Sequence, residues 1–352
     1  MEDMVLNSSF WQDKSVLLTG HTGFKGGWTA LWLASMGAKV SGYSLDPPTN
    51  PNFFALTGLS GLLSNHYLGD VRDLHLLEKK MRLAKPSIVI HMGAQPLVRA
   101  SYESPVDTFT TNVIGTVNVL EAARRTGTVE SVINVTSDKC YQNLKTGRPH
   151  TEDDRLGGRD PYSASKACSE LVSKAYEHSF LTESDILVAT ARAGNVIGGG
   201  DWAADRLIPD CLRALESRSK LKIRYPNAVR PWQHVLEPVS GYLRLAEQLA
   251  IGGKDYVGSW NFGPEYDDFG TVIDLVGCLK RCWPRLLFEA DSTPNLYEES
   301  VLRLDSSKAK SGLGWLPRWK WTQAVEAATA WYDAYRRGDQ MAEFTLSQIA
   351  EY

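Results

Sequence analysis

The sequence predicts a doubly wound α/β fold, a parallel sheet covered on both faces by helices, with a smaller lobe toward the C-terminus. Three observations predict it. Short, nearly continuous runs of Val, Ile and Leu recur along the first half of the chain, as expected of strands buried on both faces. Stretches with apolar residues at helical spacing separate them. The first run ends in a glycine-rich turn that opens a helix, the strand–turn–helix unit from which such folds are built.

Taken in order, residues 15–20 (SVLLTG) form the first strand, closed by glycine. Residues 25–37 (KGGWTALWLASMG) place Trp28, Leu31, Trp32 and Ser35 at helical spacing and stop at Gly37, a common helix terminator. Residues 39–45 (KVSGYSL), 65–70 (NHYLGD), 87–94 (SIVIHMGA), 129–137 (VESVINVTS) and 185–194 (DILVATARAG) follow as further strands. Beyond Asn195 the alternation changes. Residues 196–210 (VIGGGDWAADRLIPD) read as a loop entering a helix, and residues 224–234 (RYPNAVRPWQH) as a turn-rich stretch. Residues 237–250 are helical, residues 258–264 (GSWNFGP) add one more strand to the first sheet, and residues 271–283 form another helix. The expected division is residues 1–194 with 232–262 as a Rossmann-like dinucleotide-binding domain, and 195–231 with 263–352 as a smaller substrate-binding lobe.

Composition excludes several classes of function. Of 352 residues, 43% are hydrophobic and 22% charged, with a net charge of −3, so no basic field invites nucleic acid. No run approaches the roughly 18 apolar residues of a membrane span, and the N-terminal stretch MEDMVLNSSFWQDK lacks the apolar segment of a secretion signal. The five cysteines are odd in number and scattered, which points to reduced thiols in the cytoplasm. His residues are few and unclustered, so no metal site is expected.

The turn GHTGFKG sets Gly20, Gly23 and Gly26 at G-x-x-G-x-x-G spacing, with Thr22, Phe24 and Lys25 between them. Missing side chains let the backbone approach a dinucleotide pyrophosphate, and the helix N-terminus supplies free N–H groups and a positive dipole end. A tight turn with no ligand is the plain alternative. Asp46 follows Gly26 by 20 residues, just past the second strand, where an acidic residue binds the adenosine ribose diol and repels a 2′-phosphate. No Lys or Arg occurs between Tyr43 and Asn52, so the expected cofactor is NAD. Asp70 and Val71 end the third strand, where an adenine would sit. Asp70 could equally cap the following helix.

Residues 159–166 (RDPYSASK) carry Tyr162 and Lys166 one helical turn apart, with Asp160 as a suitable cap and Pro161 as a suitable first residue. Both side chains then leave one face of a helix. An ammonium near a phenol favours phenolate and lowers its pKa from about 10. Such a phenolate can take a proton from a hydroxyl while hydride leaves the same carbon.

At this point the chain resembles the extended short-chain dehydrogenase/reductase family over nearly its whole length. The resemblance rests on Gly20, Gly23 and Gly26, on Asp70-Val71, on HMGAQ (His91, Met92, Gly93, Ala94, Gln95), on NVIGT beginning at Asn112, on TSDK at residues 136–139, and on Tyr162 with Lys166. It implies an NAD-dependent enzyme acting on a nucleotide sugar. It implies that Tyr162 is the base, that Lys166 binds the nicotinamide ribose, and that Ser137 hydrogen-bonds the substrate hydroxyl. The pair Asp138–Lys139 sorts the subclasses. Simple 4-epimerases need no further acid or base there, whereas 4,6-dehydratases carry a hydroxyl residue, Asp and then a base. That base is Glu in the commoner ones and Lys139 here. GHTGFKGGW and RPWQHVLEPVSGYL further resemble the dehydratases that take a cytidine diphosphate sugar.

That chemistry gives each residue a task. Oxidation at C4 makes a ketone that acidifies the C5 proton. A base removes this proton, an acid assists the departure of the C6 hydroxyl, and hydride returns to C6. Asp138 is the expected acid and Lys139 the C5 base, for which the amine must be neutral and its pKa well below about 10.4. A surface ion pair at a strand end is the plain alternative. By the same resemblance, Arg192, Asn195, Arg206, Arg230 and Arg303 hold the sugar diphosphate, each arginine otherwise being a solvated charge. Trp232 and Tyr225 stack on the base or pack in the core. His91 shapes the cofactor pocket. Residues 105–125 form a long helix of the kind that pairs between subunits in this family, which implies a homodimer or homotetramer. The rival readings are an epimerase or a dehydratase for another nucleotide sugar, and a catalytically silent NAD-binding protein.

Overall fold

The computed structural model describes residues 6–143, 147–181, 183–291 and 302–352. Seven strands form the central sheet: β1 (Ser15–Thr19), β2 (Lys39–Ser44), β3 (Asn65–Leu68), β4 (Ile88–His91), β5 (Ser131–Val135), β6 (Leu187–Ala193) and β7 (Gly258–Phe262). Their spatial order is β7-β6-β5-β4-β1-β2-β3, and every pair is parallel. The strand expected at residues 258–264 therefore joins the main sheet beside β6. Chain order reverses between β1 and β4, and that switch point leaves a crevice beyond the carboxyl ends of the strands.

Successive residues of a strand face opposite sides, and the two sides of this sheet are both dry. Leu18, Ile90, Ile133 and Ala189 face one core with Trp11, Trp28 and Tyr242. Their neighbours Leu17, Val89, Val132 and Val188 face the other with Leu77, Met81, Val119 and Leu120. Helices α1 (Phe24–Ser35), α2 (Leu74–Ala84), α3 (Gly115–Thr126), α4 (Pro161–Tyr176) and α5 (Leu236–Gly252) cover these faces. The long helix expected at residues 105–125 is continuous but not uniform. A π-helical turn at Thr110–Ile114 joins Pro105–Phe109 to α3. Asp73, not Asp70, caps α2, accepting from Leu76 N at 2.9 Å. Asp70 instead pairs with Arg72.

Toward the crevice the strand ends change character. Thr19, His91, Asn134, Thr190 and Ser259 stand in register across five strands, a polar row that closes β1 and β4 and crosses β6 and β7 within their length. His91 Nδ1 lies 2.7 Å from Thr19 Oγ1, and Asn134 donates to Ser169 and Ser173 of α4. Buried polar groups require such partners. The rest of the second half adds three two-stranded pairings: Val196–Ile197 with Gln233–His234, Val229–Arg230 with Gly270–Thr271, and Lys220–Ile223 with Leu287–Ala290. Tryptophan proves to be core material: Trp11, Trp28, Trp315 and Trp331 are fully buried. Among the described residues no helix is long and apolar enough to cross a membrane.

Burial keeps His91 and His234 neutral, pushing each imidazole down to about 3, with the Lys166 ammonium adding to the effect at His91. A group whose pKa is depressed on folding contributes stability that is complete above its unfolded value of about 6.5 and is lost as pH falls below it. His234→Gln is therefore expected to flatten the acid side of the stability curve by about 1.4 kcal/mol per pH unit between pH 6 and 4. Urea denaturation at several pH values measures this, and an unchanged slope contradicts it.

Candidate active site

The switch point is lined first by the loop after β1. Gly20 has φ +78, a left-handed conformation suited to glycine. A Cβ on Gly26 would sit 2.1 Å from the Gly20 carbonyl oxygen, so only glycine lets α1 start this close to the strand. Gly23 is the N-cap and makes no side-chain cap bond, leaving the first N–H groups for a ligand. Thr22 Oγ1 ties the loop to Ser44 Oγ (2.8 Å) and to the Leu45 carbonyl (2.9 Å). Asp46 is exposed just past β2, open to a ribose diol.

Val71 is buried and packs against Gly93 and Gly115, where a Cβ would come within 3.2 and 2.7 Å of its methyl carbons. Met92, Ala94 and Gln95 line the other side, half-buried. This stretch is pinned. Gly93 N donates to Thr19 Oγ1 (3.0 Å) and Gln95 N to Asn112 Oδ1 (2.8 Å). Asn112 Nδ2 returns a bond to the Gln95 carbonyl (3.0 Å). The cradle, the exposed acid and the pinned wall fit a dinucleotide.

The reacting groups come from the end of β5 and the start of α4. β5 runs out at Val135, and Asp138–Cys140 make a single 3-10 turn capped by Ser137, which accepts from Lys139 N at 3.2 Å. Asp160 caps α4 by accepting from Ser163 N at 2.9 Å, and Pro161 is its first residue, as the sequence implies. Tyr162 and Lys166 then point back toward β5, and Lys166 Nζ donates to the Val135 carbonyl at 3.2 Å.

Asp138 is only 3% exposed, which excludes the surface ion pair. Burial raises its pKa against the lowering pull of Lys139, Ser137, Arg230 and Lys25. Oδ1 lies 3.0 Å from Ser137 Oγ, while Oδ2 is buried without a hydrogen-bond partner and looks across at Gly194, where a Cβ would come within 3.1 Å. A carboxyl pushed toward its acid form, with one oxygen unused, is suited to give a proton to an acceptor that enters the site.

Tyr162 departs from the sequence expectation. Burial pushes its phenol up to about 12, with Ser137 and Arg206 pulling the other way and Asp138 reinforcing the rise. The lowering comes chiefly from Ser137 and Arg206 and not from Lys166 as expected, and desolvation of the phenolate outweighs it. Lys166 itself is pushed down to about 8 by burial, against Glu170 and Cys140. Lys25 was expected to serve the cofactor loop, yet its half-buried amine faces the reaction centre. Burial, Arg206 and Lys166 push it down to about 7 while Asp138 opposes them.

Arg192 is corrected outright. It is 3% exposed, ion-paired with Glu170 at 2.6 Å and bonded to Tyr141 Oη (2.7 Å), Ser259 Oγ (2.7 Å) and the Glu152 carbonyl (3.1 Å). Its charge is consumed inside the protein beneath α4, so it has none to offer a diphosphate. Glu170 also accepts from Thr136 and Thr190, tying α4 to β5 and β6. Trp232 packs in the core, its Nε1 donating to the Gly270 carbonyl at 3.2 Å.

Arg230 is buried and acts on Asp138. Arg206 lies 3.5 Å from Asp201 and acts on Tyr162 and Lys25. Asn195 is half-buried at the foot of the same loop, its carbonyl accepting from Gln233 N. Arg303 lays its guanidinium 3.9 Å from the Phe269 ring centroid, an arrangement typical of Arg. Glu170 and Tyr242, which faces Asp138 and Tyr162, escaped sequence reasoning. Glu170 had a signal, lying one further turn along α4 from Lys166.

A model of the GDP-mannose 4,6 dehydratase family matches residues 17–328. The chain belongs to this family. A CDP-glucose 4,6-dehydratase of Salmonella typhimurium strain LT2 is 45% identical over 99% of this chain and 98% of that protein. A dTDP-glucose 4,6-dehydratase of Xanthomonas campestris pv. campestris is 26% identical over 90% and 92%. Among solved structures, the dTDP-glucose 4,6-dehydratase DesIV of Streptomyces venezuelae, with NAD bound, superposes with a TM-score of 0.77 at 26% identity, over 93% of this chain and 99% of that one. The family thus extends over both the cradle and the acid-bearing turn.

Replacing Arg192 by Ala would strand the Glu170 carboxylate in the core. The expected cost is about 3–5 kcal/mol of folding free energy, read by chemical denaturation. Unchanged stability would return Arg192 to the substrate.

Proposed function

We propose that the protein catalyses the NAD-dependent 4,6-dehydration of CDP-glucose, giving the CDP-linked 4-keto-6-deoxy sugar and water. The observation that carries this reading is Asp138, a buried carboxyl with its pKa raised and one oxygen unpartnered, placed beside Lys139. A 4-epimerase returns hydride to the carbon it left and has no use for an acid there.

Bound NAD supplies the acceptor and later donor of hydride and, while oxidised, a positive charge that acts on the Tyr162 phenol in the same direction as Ser137 and Arg206. Tyr162 takes the proton of the C4 hydroxyl and Ser137 holds that oxygen. Lys139 removes the C5 proton. Asp138 gives its proton to the C6 oxygen, which leaves as water. Gly20, Thr22, Gly23, Phe24, Lys25 and Gly26 with Asp46, Asp70, Val71, Met92, Ala94, Gln95 and Asn112 form the cofactor side, together with Tyr162 and Lys166. Asn195, Arg206, Arg230 and Arg303 form the sugar-nucleotide side. Residues 1–194 with 232–262 are assigned to the cofactor domain, and residues 195–231 with 263–352 to the substrate-binding lobe. The cytidine base rests on the likeness to the Salmonella protein.

The reading includes a cytoplasmic homodimer or homotetramer. Val106, Phe109, Ile114 and Leu171 are exposed on the Pro105–Ile114 segment and on α4, apolar side chains suited to a second copy of the chain. Sedimentation should find a dimer or tetramer at micromolar concentration, and a monomer there counts against it.

Two experiments test the activity. Incubation with a panel of nucleoside-diphosphoglucoses should yield a 4-keto-6-deoxy sugar from CDP-glucose, and no product from that donor refutes the choice of nucleotide. Lys139→Met should abolish solvent deuterium incorporation at C5 while leaving some C4 oxidation. Normal turnover in that variant removes Lys139 from its role.

A further inference from the structure

A 4,6-dehydration leaves its two proton-handling groups out of step. With the positive charge of oxidised NAD beside it, Tyr162 would begin as phenolate and end as phenol, having taken the C4 hydroxyl proton. Asp138 begins as acid and ends as carboxylate, having given its proton to the departing water. The C5 proton is removed by Lys139 and one proton is put back at C5, so that group closes on itself. Before the next turnover one proton must therefore leave Tyr162 and one must reach Asp138.

Bulk water is a poor carrier here. Tyr162 is 7% exposed, Ser137 6% and Asp138 3%. Between the two groups stands the Ser137 hydroxyl. Its Oγ is 3.0 Å from Asp138 Oδ1, and it is the hydrogen-bonding side chain that acts on the Tyr162 phenol. The other groups facing Asp138 are Lys139, already committed to C5, Arg230, Lys25 and the Tyr242 phenol, and among the described residues none of these four side chains is hydrogen-bonded to its carboxyl.

We propose that Ser137 is the internal proton relay that resets the site after each turnover, passing a proton from Tyr162 to Asp138. The proposal rests on the dehydratase reading. In the step, the Tyr162 O–H bond breaks as a new bond to Ser137 Oγ forms. The original Ser137 O–H breaks as Asp138 Oδ1–H forms. Ser137 ends with one proton, as it began, and no other reactant is needed. One hydroxyl serves both states: it accepts from phenol and donates to carboxylate before the transfer, and accepts from the acid and donates to phenolate after it.

The test compares the first turnover with later ones, using CDP-glucose and rapid-quench detection of the 4-keto-6-deoxy product. In Ser137→Ala the steady-state rate should fall roughly 10²-fold or more, the usual weight of a positioned proton-transfer group. The first turnover of pre-equilibrated enzyme, which loses only the Ser137 bond to the C4 oxygen, should fall at least about tenfold less than the steady state, giving a burst of one product per site. Ser137→Thr, which keeps a hydroxyl, should restore both rates and remove the burst. Equal losses in the two regimes, including loss of both to background, overturn the relay. If the unaltered enzyme makes no 4-keto-6-deoxy product, the dehydratase reading fails instead.

Discussion

The site depends on the desolvation of one carboxyl group. Asp138 stands just past the carboxyl end of β5, almost without solvent contact, and three basic side chains act on it, Lys139, Arg230 and Lys25. Such neighbours ordinarily hold a carboxyl ionised. Burial opposes them and raises the carboxyl's pKa. Oδ2 has no hydrogen-bond partner among the described residues, so it is left to a ligand that enters. The same desolvation acts on Tyr162 and Lys166 with opposite consequences, favouring phenol in one and neutral amine in the other. Desolvation thus biases Asp138, Tyr162, Lys166 and Lys25 toward their uncharged forms.

That dryness has to be held open against collapse. The framework is the buried pair of Arg192 and Glu170, whose bonds to Thr136, Thr190, Tyr141 and Ser259 join α4 to β5, β6 and β7. A buried ion pair contributes little net stability over an apolar substitute, but losing one partner is costly. Its use here is geometric. It fixes α4, and with it Tyr162 and Lys166, at the height where β5 delivers Ser137 and Asp138.

The strands, their order of appearance and the cofactor turn were legible because they follow from local rules: apolar runs that stop at glycine, a cap before a helix, two side chains one turn apart. The Asp138–Lys139 pair was legible as chemistry but not as burial. Nothing local distinguishes a carboxyl at 3% exposure from one in solvent. Arg192 was misread for the same reason, since its partner lies on a helix 22 residues earlier and only the fold brings them together. The choice between Asp70 and Asp73 as helix cap could have been made from the sequence. Leu74 begins the apolar periodicity of α2, and the residue immediately before it is the natural cap. The Lys25 side chain lay hidden behind its own motif, where a glycine-loop residue is read for its backbone.

The central claim is that hydride leaves C4 and returns to C6 of the same sugar while Asp138 expels the C6 oxygen. It is tested most directly with CDP-glucose carrying deuterium at C4. The account predicts that the product retains this deuterium in its new methyl group at C6. Deuterium remaining at C4, as in an epimerised or unchanged sugar, or washed out into solvent, would contradict it.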